Sequence, residues 1–382
     1  MKIDAHYYAV LAFARAIGFN KDSACQIAYA SQFVDDAKIN LMYLKEDPGA
    51  EVKHDVFDGQ HLFLNMATCH SYTRVKTFNY GAMINNTCAF HFVPGCEGTR
   101  FSEKLRCKED SEIANNILKK ALEQADPIKL GIVLHTYADT FSHQDFSGLL
   151  SKVNDIQKCK AISDLPLDWR DMAYKIGSFV VKLVKKDMMD RLLDKGLPAY
   201  GHGQAAWFPD LPYLTWAYTY DPSNKFSFVL EGKPEIVNPM RFERAFKKIK
   251  THLETFLEKH PQFRDPGMDF EAFDVLFTAL TEKMHTRNRI KNWKNLMVTQ
   301  GFFEEKELFE KTDDSRDYHE DRWLKEAFVN FDRKRFHQRT VKDVELADHF
   351  LDSNWYKYYL AVAWYKEELF DNCRKFGLDV PR

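Results

Sequence analysis

The stretch Asp126-Pro-Ile-Lys-Leu-Gly131-Ile-Val-Leu-His135-Thr-Tyr-Ala-Asp139-Thr-Phe-Ser-His143 decides how the rest of this chain is read. Asp126 followed by Pro127 has the form of an N-cap and a first-turn proline. Leu130, Val133, Leu134, Tyr137 and Phe141 then recur at helical spacing. On such a helix His135, Asp139 and His143 stand four residues apart. Each step of four advances the side-chain direction by about 40°, so all three project from one side over roughly three turns. A stripe of this kind is no apolar face, and burying it is costly unless something pairs with it. A divalent ion does so, because neutral imidazoles and a carboxylate are donors that zinc prefers. An aspartate between two histidines can also bridge two ions, one per oxygen. Taken singly, His135 reads as a satisfied core histidine, Asp139 as its hydrogen-bond partner and His143 as a surface residue. The triple on an otherwise apolar helix favours metal.

Further donors occur on segments that could converge on this stripe. His6 lies between Asp4 and the tyrosines Tyr7 and Tyr8. Asp35 and Asp36 stand together inside an apolar helix, where paired like charges raise each other's pKa unless a cation intervenes. The two point about 100° apart, so one of them faces the cluster. His70 follows Ala67-Thr68-Cys69. His202 sits between Gly201 and Gly203, which permit close backbone approach, and Asp210 follows eight residues on. His91, beside Phe90, Phe92 and Pro94, reads equally well as a packed core residue. The histidines after residue 250 read as solvated among Lys and Glu.

The whole chain, 382 residues and 45% hydrophobic, can bury a large core. A net charge of -2 gives no reason to expect a polyanionic partner. No window reaches the roughly 18 apolar residues of a membrane span, and the early Asp4 and His6 do not suit a signal peptide. Seven unevenly spaced cysteines, with Cys88, Cys96 and Cys107 lacking paired CxxC spacing, read as reduced thiols of a cytoplasmic protein. Helical periodicity continues through Ile27, Phe33, Val34, Ala37 and Leu41, from Gly177 to Leu193, from Phe242 to Leu257, and from Trp355 to Phe370. Only Lys225–Leu230 with Lys233–Val237 could form a short β-hairpin, and Pro234 keeps one strand at an edge. The expected fold is therefore mainly α. Residues 1–240 would form a helical metal-binding core, and residues 241–382 a C-terminal helical region packed on it.

The His-x3-Asp-x3-His stripe, the early histidine and aspartate and the later histidines together resemble the zinc-dependent phospholipase C and S1/P1 nuclease superfamily. Segments Tyr29–Ala37, Phe90–Gly95, Leu134–His143, Gly201–Gly203 and Pro209–Tyr213 look more closely like a bacterial family of unknown function, over roughly residues 1 to 250. The superfamily resemblance implies a multi-helix core and two or three zinc ions. Asp139 would bridge, with His135, Asp35 or Asp36, and His70 at one ion, His143 and His202 at a second, and His6 at a third. Three departures stand out: the chain begins with Met1 where the superfamily has a tryptophan, His143 follows Asp139 closely, and Ala206 stands where a carboxylate is expected.

The implied activity is a metal-dependent phosphoesterase in which activated water attacks a lipid, nucleotide or nucleic-acid phosphate ester, with Asp35 or Asp36 as general base. Two other readings stay open. His54-Asp55 could belong to an HD-type phosphohydrolase with Asp139 as a distant ligand. Alternatively, structural metals staple the helices while the C-terminal third, Phe302 to Arg382, binds a protein partner or a second copy of the chain.

Overall fold

The computed structural model describes residues 1–69, 79–162, 199–220, 233–312 and 314–380. A π-helical turn, Asp4–Ala9, runs into helix α1 (Val10–Ile17), which Gly18 ends with φ +107°. Asn20 caps α2 (Lys21–Asp36) by accepting from the Ser23 amide. Then follow α3 (Glu112–Leu122) and α4 (Pro127–Ser142). As the sequence predicts, Asp126 caps α4, accepting from the amides of Ile128 and Lys129. Beyond it lie α5 (Asn238–Lys259), α6 (Thr286–Thr299) and α7 (Asn354–Lys375).

Helix α4 is the central element, with fifteen of its sixteen residues buried, and α2, α3, α5 and α7 pack around it. The α2–α4 crossing is set by Gly131. A Cβ there would fall 2.3 Å from the Ile27 carbonyl oxygen and 2.7 Å from Ala30 Cβ. The missing side chain lets the two backbones approach closely enough for the C-terminal end of α2 to lie against His135 and Asp139.

The expectation of a mainly α fold is corrected by two sheets, which make the architecture mixed α/β. Strands β1 (Leu41–Leu44), β2 (Asp55–Phe57), β3 (Gln60–Leu64) and, much later, β7 (Thr340–Val344) form one sheet in the order β2-β3-β1-β7. In it β1 pairs antiparallel with β3 (Leu41↔Leu64) and parallel with β7 (Leu41↔Thr340). Strands β4 (Ile156–Ala161), β5 (Thr215–Tyr220) and β6 (Lys233–Val237) form a second, antiparallel sheet. These strands are short, and several meet partners far away in sequence, so alternation within any one of them is too brief to register.

Helix periodicity also misleads at Leu41. Helix α2 stops at Asp36 because Ala37 turns extended, and the Ala37 carbonyl accepts from the amides of Thr68 and Cys69. Of the expected hairpin, Lys233–Val237 is a strand that pairs with Thr215–Tyr220; residues 225–232 lie outside the described residues, as does Gly177–Leu193.

Apolar side chains from both sides of residue 240 share one core running from Met1 to Val380. A smaller core, with Phe92, Phe146, Trp216 and Tyr218, lies against the three-stranded sheet. The aromatic residues of α7 point inward: Trp355, Tyr356, Tyr358, Tyr359 and Tyr365 are buried, so that face is already occupied within the chain. His260, read from the sequence as solvated, is buried with Nε2 3.1 Å from the Leu122 carbonyl. All seven cysteines are free thiols. No helix among the described residues is long and apolar enough to cross a membrane.

Because the α2–α4 contact has no room for a methyl group, Gly131→Ala should destabilise the fold by about 1–3 kcal/mol, the usual cost of overpacking. Chemical denaturation checks this, and an unchanged midpoint would mean that the crossing is looser than the coordinates imply.

Candidate metal centre

Five histidines and three aspartates converge where α4 meets the N-terminal turn, α2 and two loops. His135 and Asp139 project from α4, and His143 caps its C-terminus, its amide bonded to the Asp139 carbonyl. His6 comes from the π-helical turn, a distortion often seen at functional sites. His91 ends the helical turn Ala89–His91. His202 precedes the 3-10 turn Gly203–Ala205, and Asp210 closes the turn Phe208–Asp210. All five imidazoles and Asp139 are at most 2% exposed, and Asp210 is 8% exposed. Asp35, at the end of α2, leaves 28% of its side chain accessible.

Asp139 is the hub. Its Oδ1 lies 2.6 Å from the Met1 amino group and 3.2 Å from His6 Nε2. Its Oδ2 lies 3.4 Å from both His91 Nδ1 and His135 Nε2, and 3.6 Å from His143 Nδ1. Asp210 mirrors it, with Oδ1 3.0 Å from His143 Nε2 and 3.2 Å from the Met1 amine, and Oδ2 3.8 Å from His202 Nε2. Asp35 Oδ1 stands 3.7 Å from His91 Nδ1 and 3.9 Å from His135 Nε2. The rings of His6 and His135 stack at 3.9 Å.

Backbone carbonyls fix the far side of three of these rings. His143 Nδ1 lies 2.7 Å from the His91 carbonyl, His202 Nδ1 2.7 Å from the Ala206 carbonyl, and His91 Nε2 3.0 Å from the Thr68 carbonyl. A carbonyl only accepts, so each of those nitrogens carries the proton. In a neutral ring the opposite nitrogen is then a lone pair aimed into the cluster. At His143 that lone pair faces Asp210 Oδ1 at 3.0 Å, acceptor against acceptor. Only a proton or a cation between them relieves the repulsion. A second polar group that fixes the tautomer of a histidine is also the usual support of a metal ligand. Ala206 adopts φ +49° as it turns its carbonyl toward His202. The alanine that replaces the expected carboxylate thus orients the ligand, and Asp210 supplies the carboxylate.

The electrostatics favour the neutral form of three of the imidazoles, His6, His135 and His202. Burial, reinforced by the Met1 ammonium, pushes His6 down to about 4. Burial also pushes His202 down to about 4, and His135 well below its ordinary value. Burial would raise Asp139, but His143, the Met1 ammonium, His135 and His6 hold it well below the carboxylate range. Asp210 is likewise held low, against burial, by the Met1 ammonium, His202 and His143. Asp35 goes the other way: although partly accessible, its carboxyl is pushed well above the ordinary range by the surrounding protein and by Asp139. The Met1 amine rises to about 11, because the attraction of Asp139, Asp210 and Asp35 outweighs its burial.

The donor set fits divalent metal. Three groups each bring ligand atoms within 4.8 Å of one another: His6–Asp35–His135, His91–His135–Asp139 and His143–His202–Asp210. His6 Nε2 is buried and, although 3.2 Å from Asp139 Oδ1, has no aligned hydrogen-bond partner.

Of the residues expected from the sequence, His6, Asp35, His135, Asp139, His143 and His202 come together. Asp36 does not: its Oδ2 accepts from Gln32 Nε2 (3.0 Å) and the Tyr318 hydroxyl (2.8 Å), on the side away from the cluster. His70 lies outside the described residues. His91 and Asp210 belong to the cluster, and the Met1 amine joins it, a group that no side-chain pattern announces. His54 lies on another part of the surface, with Nε2 2.7 Å from His61 Nδ1 and no contact to Asp139 among the described residues.

A buried cluster of histidines and aspartates on a mixed α/β scaffold is what this geometry defines. The chain belongs to a family of unknown function (DUF6765), whose profile matches residues 1–373. No curated protein and no solved structure matches it.

The two neighbouring aspartates make a paired test. Asp35→Asn should weaken zinc binding by about ten- to a hundredfold, whereas Asp36→Asn should leave it within about twofold. Competition titration against a chromogenic chelator reads both; equal losses would remove the distinction drawn between them.

Proposed function

We propose that this protein is a metal-dependent phosphoric ester hydrolase, with zinc the best-suited ion. The observation that carries the reading is the acceptor-against-acceptor arrangement at Asp139 and Asp210, together with the partial exposure of Asp35. Structural metal sites are coordinatively closed, whereas catalytic ones keep a position open to water. Asp35 provides such an opening at one edge of an otherwise buried cluster.

In this reading His91, His135, Asp35 and Asp139 hold one ion, and His143, His202 and Asp210 a second. His6 is a further donor beside Asp139 Oδ1, where the Met1 ammonium also sits. Divalent ions held there would supply an activated water and a clamp for phosphoryl oxygens. Asp139 offers an oxygen to each side of the cluster, and the His91, Ala206 and Thr68 carbonyls hold the imidazoles in register. Asp35, at the partly accessible edge of the cluster, is placed to accept a proton from an attacking water and release it outward. The pattern of histidines and aspartates resembles the phospholipase C and S1/P1 nuclease superfamily, which supports a phosphodiester or phosphomonoester as substrate. A lipid, a nucleotide or a nucleic acid would each meet that description.

Asp139→Asn retains shape but loses the charge that lets one carboxylate serve two ions. Hydrolysis of bis(p-nitrophenyl) phosphate should fall by at least about a hundredfold in this variant while its far-UV circular dichroism stays unchanged. Wild-type rates in a folded Asp139→Asn protein would rule the mechanism out.

A further inference from the structure

At one end of the four-stranded sheet two cations stand without a partner carboxylate among the described residues. The pairing Leu41↔Leu64 and Leu41↔Thr340 sets Arg339, Asn40 and Asn65 in a row at the ends of three adjacent strands, which lie about 4.8 Å apart. The Asn40 amide donates to the Arg339 carbonyl at 2.8 Å. Asn65 has φ +57°, and its carbonyl and side-chain oxygen accept from Lys366 Nζ at 2.7 and 3.1 Å. Lys366 is 6% exposed, while Arg339 is half-buried at the surface.

Neither cation has a carboxylate within ion-pair distance among the described residues. Two buried arginines elsewhere do: Arg15 Nη1 is 3.0 Å from Asp265, and Arg289 Nε is 2.6 Å from Asp4. Burial, then the charge of Arg339, pushes the Lys366 amine down to about 7. The same guanidinium acts on the hydroxyl of Tyr200, two residues before His202. The row is also tied to the metal centre through the backbone. Only Met66 and Ala67 separate Asn65 from Thr68, whose carbonyl holds His91 Nε2, and three residue steps span at most about 11 Å. Thr68 and Cys69 in turn donate to the Ala37 carbonyl, just past Asp35 and Asp36. Two like charges brought to one row of strand ends, Arg339 just before β7 and Lys366 at Asn65 just past β3, are relieved by a dianion, and a guanidinium with an ammonium is a favoured phosphate donor set.

We infer that Arg339 and Lys366 form an anion-binding subsite that takes a second phosphate group of the substrate, distinct from the one handled by the metal centre. This rests on the phosphoesterase reading and narrows it to esters carrying an additional phosphate.

Sulfate is the probe that separates the two claims, since it is a dianion with weak affinity for zinc. Calorimetric titration of the full-length protein as purified should show saturable sulfate binding. Arg339→Gln should weaken that binding by about tenfold. Lys342→Gln, on the exposed side of β7, should leave it unchanged. Arg339 is half-buried and bonded only through its backbone carbonyl, so its variant should fold, and a matching thermal melt verifies this. No saturable sulfate binding in the wild type, or equal affinity in Arg339→Gln, overturns the subsite. In that case Lys366 only pins the Asn65 turn. Zinc content measured on the same samples should be equal in wild type and Arg339→Gln. Its absence from both would overturn the metal reading and leave the sulfate result standing on its own.

Discussion

Asp139 is a carboxylate with almost no access to water, surrounded by imidazoles whose orientations are fixed from behind by backbone carbonyls. Much of the fold serves to make that burial sustainable. Gly131 brings α2 against α4 so that Asp35 reaches the cluster, and Asn20 and Asp126 cap the two helices that cross there. The π-helical first turn delivers His6 and the Met1 amine, and the loop from Tyr200 to Asp210 closes the far side. An isolated buried carboxylate costs several kcal/mol, and breaking one partner of a buried charge pair about 3–5 kcal/mol. A core that gathers three carboxylates therefore needs compensating positive charge. The Met1 ammonium is one such charge; divalent cations would complete the balance.

The same requirement gives the site its two faces. Toward α3, α5 and α7 the cluster is sealed by packed apolar side chains, which keep the local dielectric low and strengthen any interaction with an ion. Toward the end of α2 it opens at Asp35. The cluster thus has a dry wall that holds the histidines and aspartates, and one edge that water reaches.

The stripe His135–Asp139–His143 was legible because helical spacing alone aligns the three side chains, and Asp126-Pro127 marks where that helix starts. His202 was legible from its flanking glycines. The choice between Asp35 and Asp36 was not, since both sit on one helix and only the Tyr318 and Gln32 contacts draw Asp36 away. His91 looked like core because it is core by burial, and only the Thr68 carbonyl behind it reveals a directed lone pair. Asp210 could be suspected but not assigned, because its place depends on the path of a loop. The sheets were largely missed for a different reason: β1 finds β7 nearly three hundred residues later, and strands of three to six residues carry too few alternations to compete with helical periodicity.

The most direct test of the account is elemental analysis of the purified, untagged protein, grown with metal supplementation and without chelator. About two to three equivalents of zinc or another transition metal per chain are expected from the donor groups around Asp139 and Asp210. A chain that carries none, yet is folded, would contradict the central claim and leave the inward-facing lone pairs to be satisfied by protons alone.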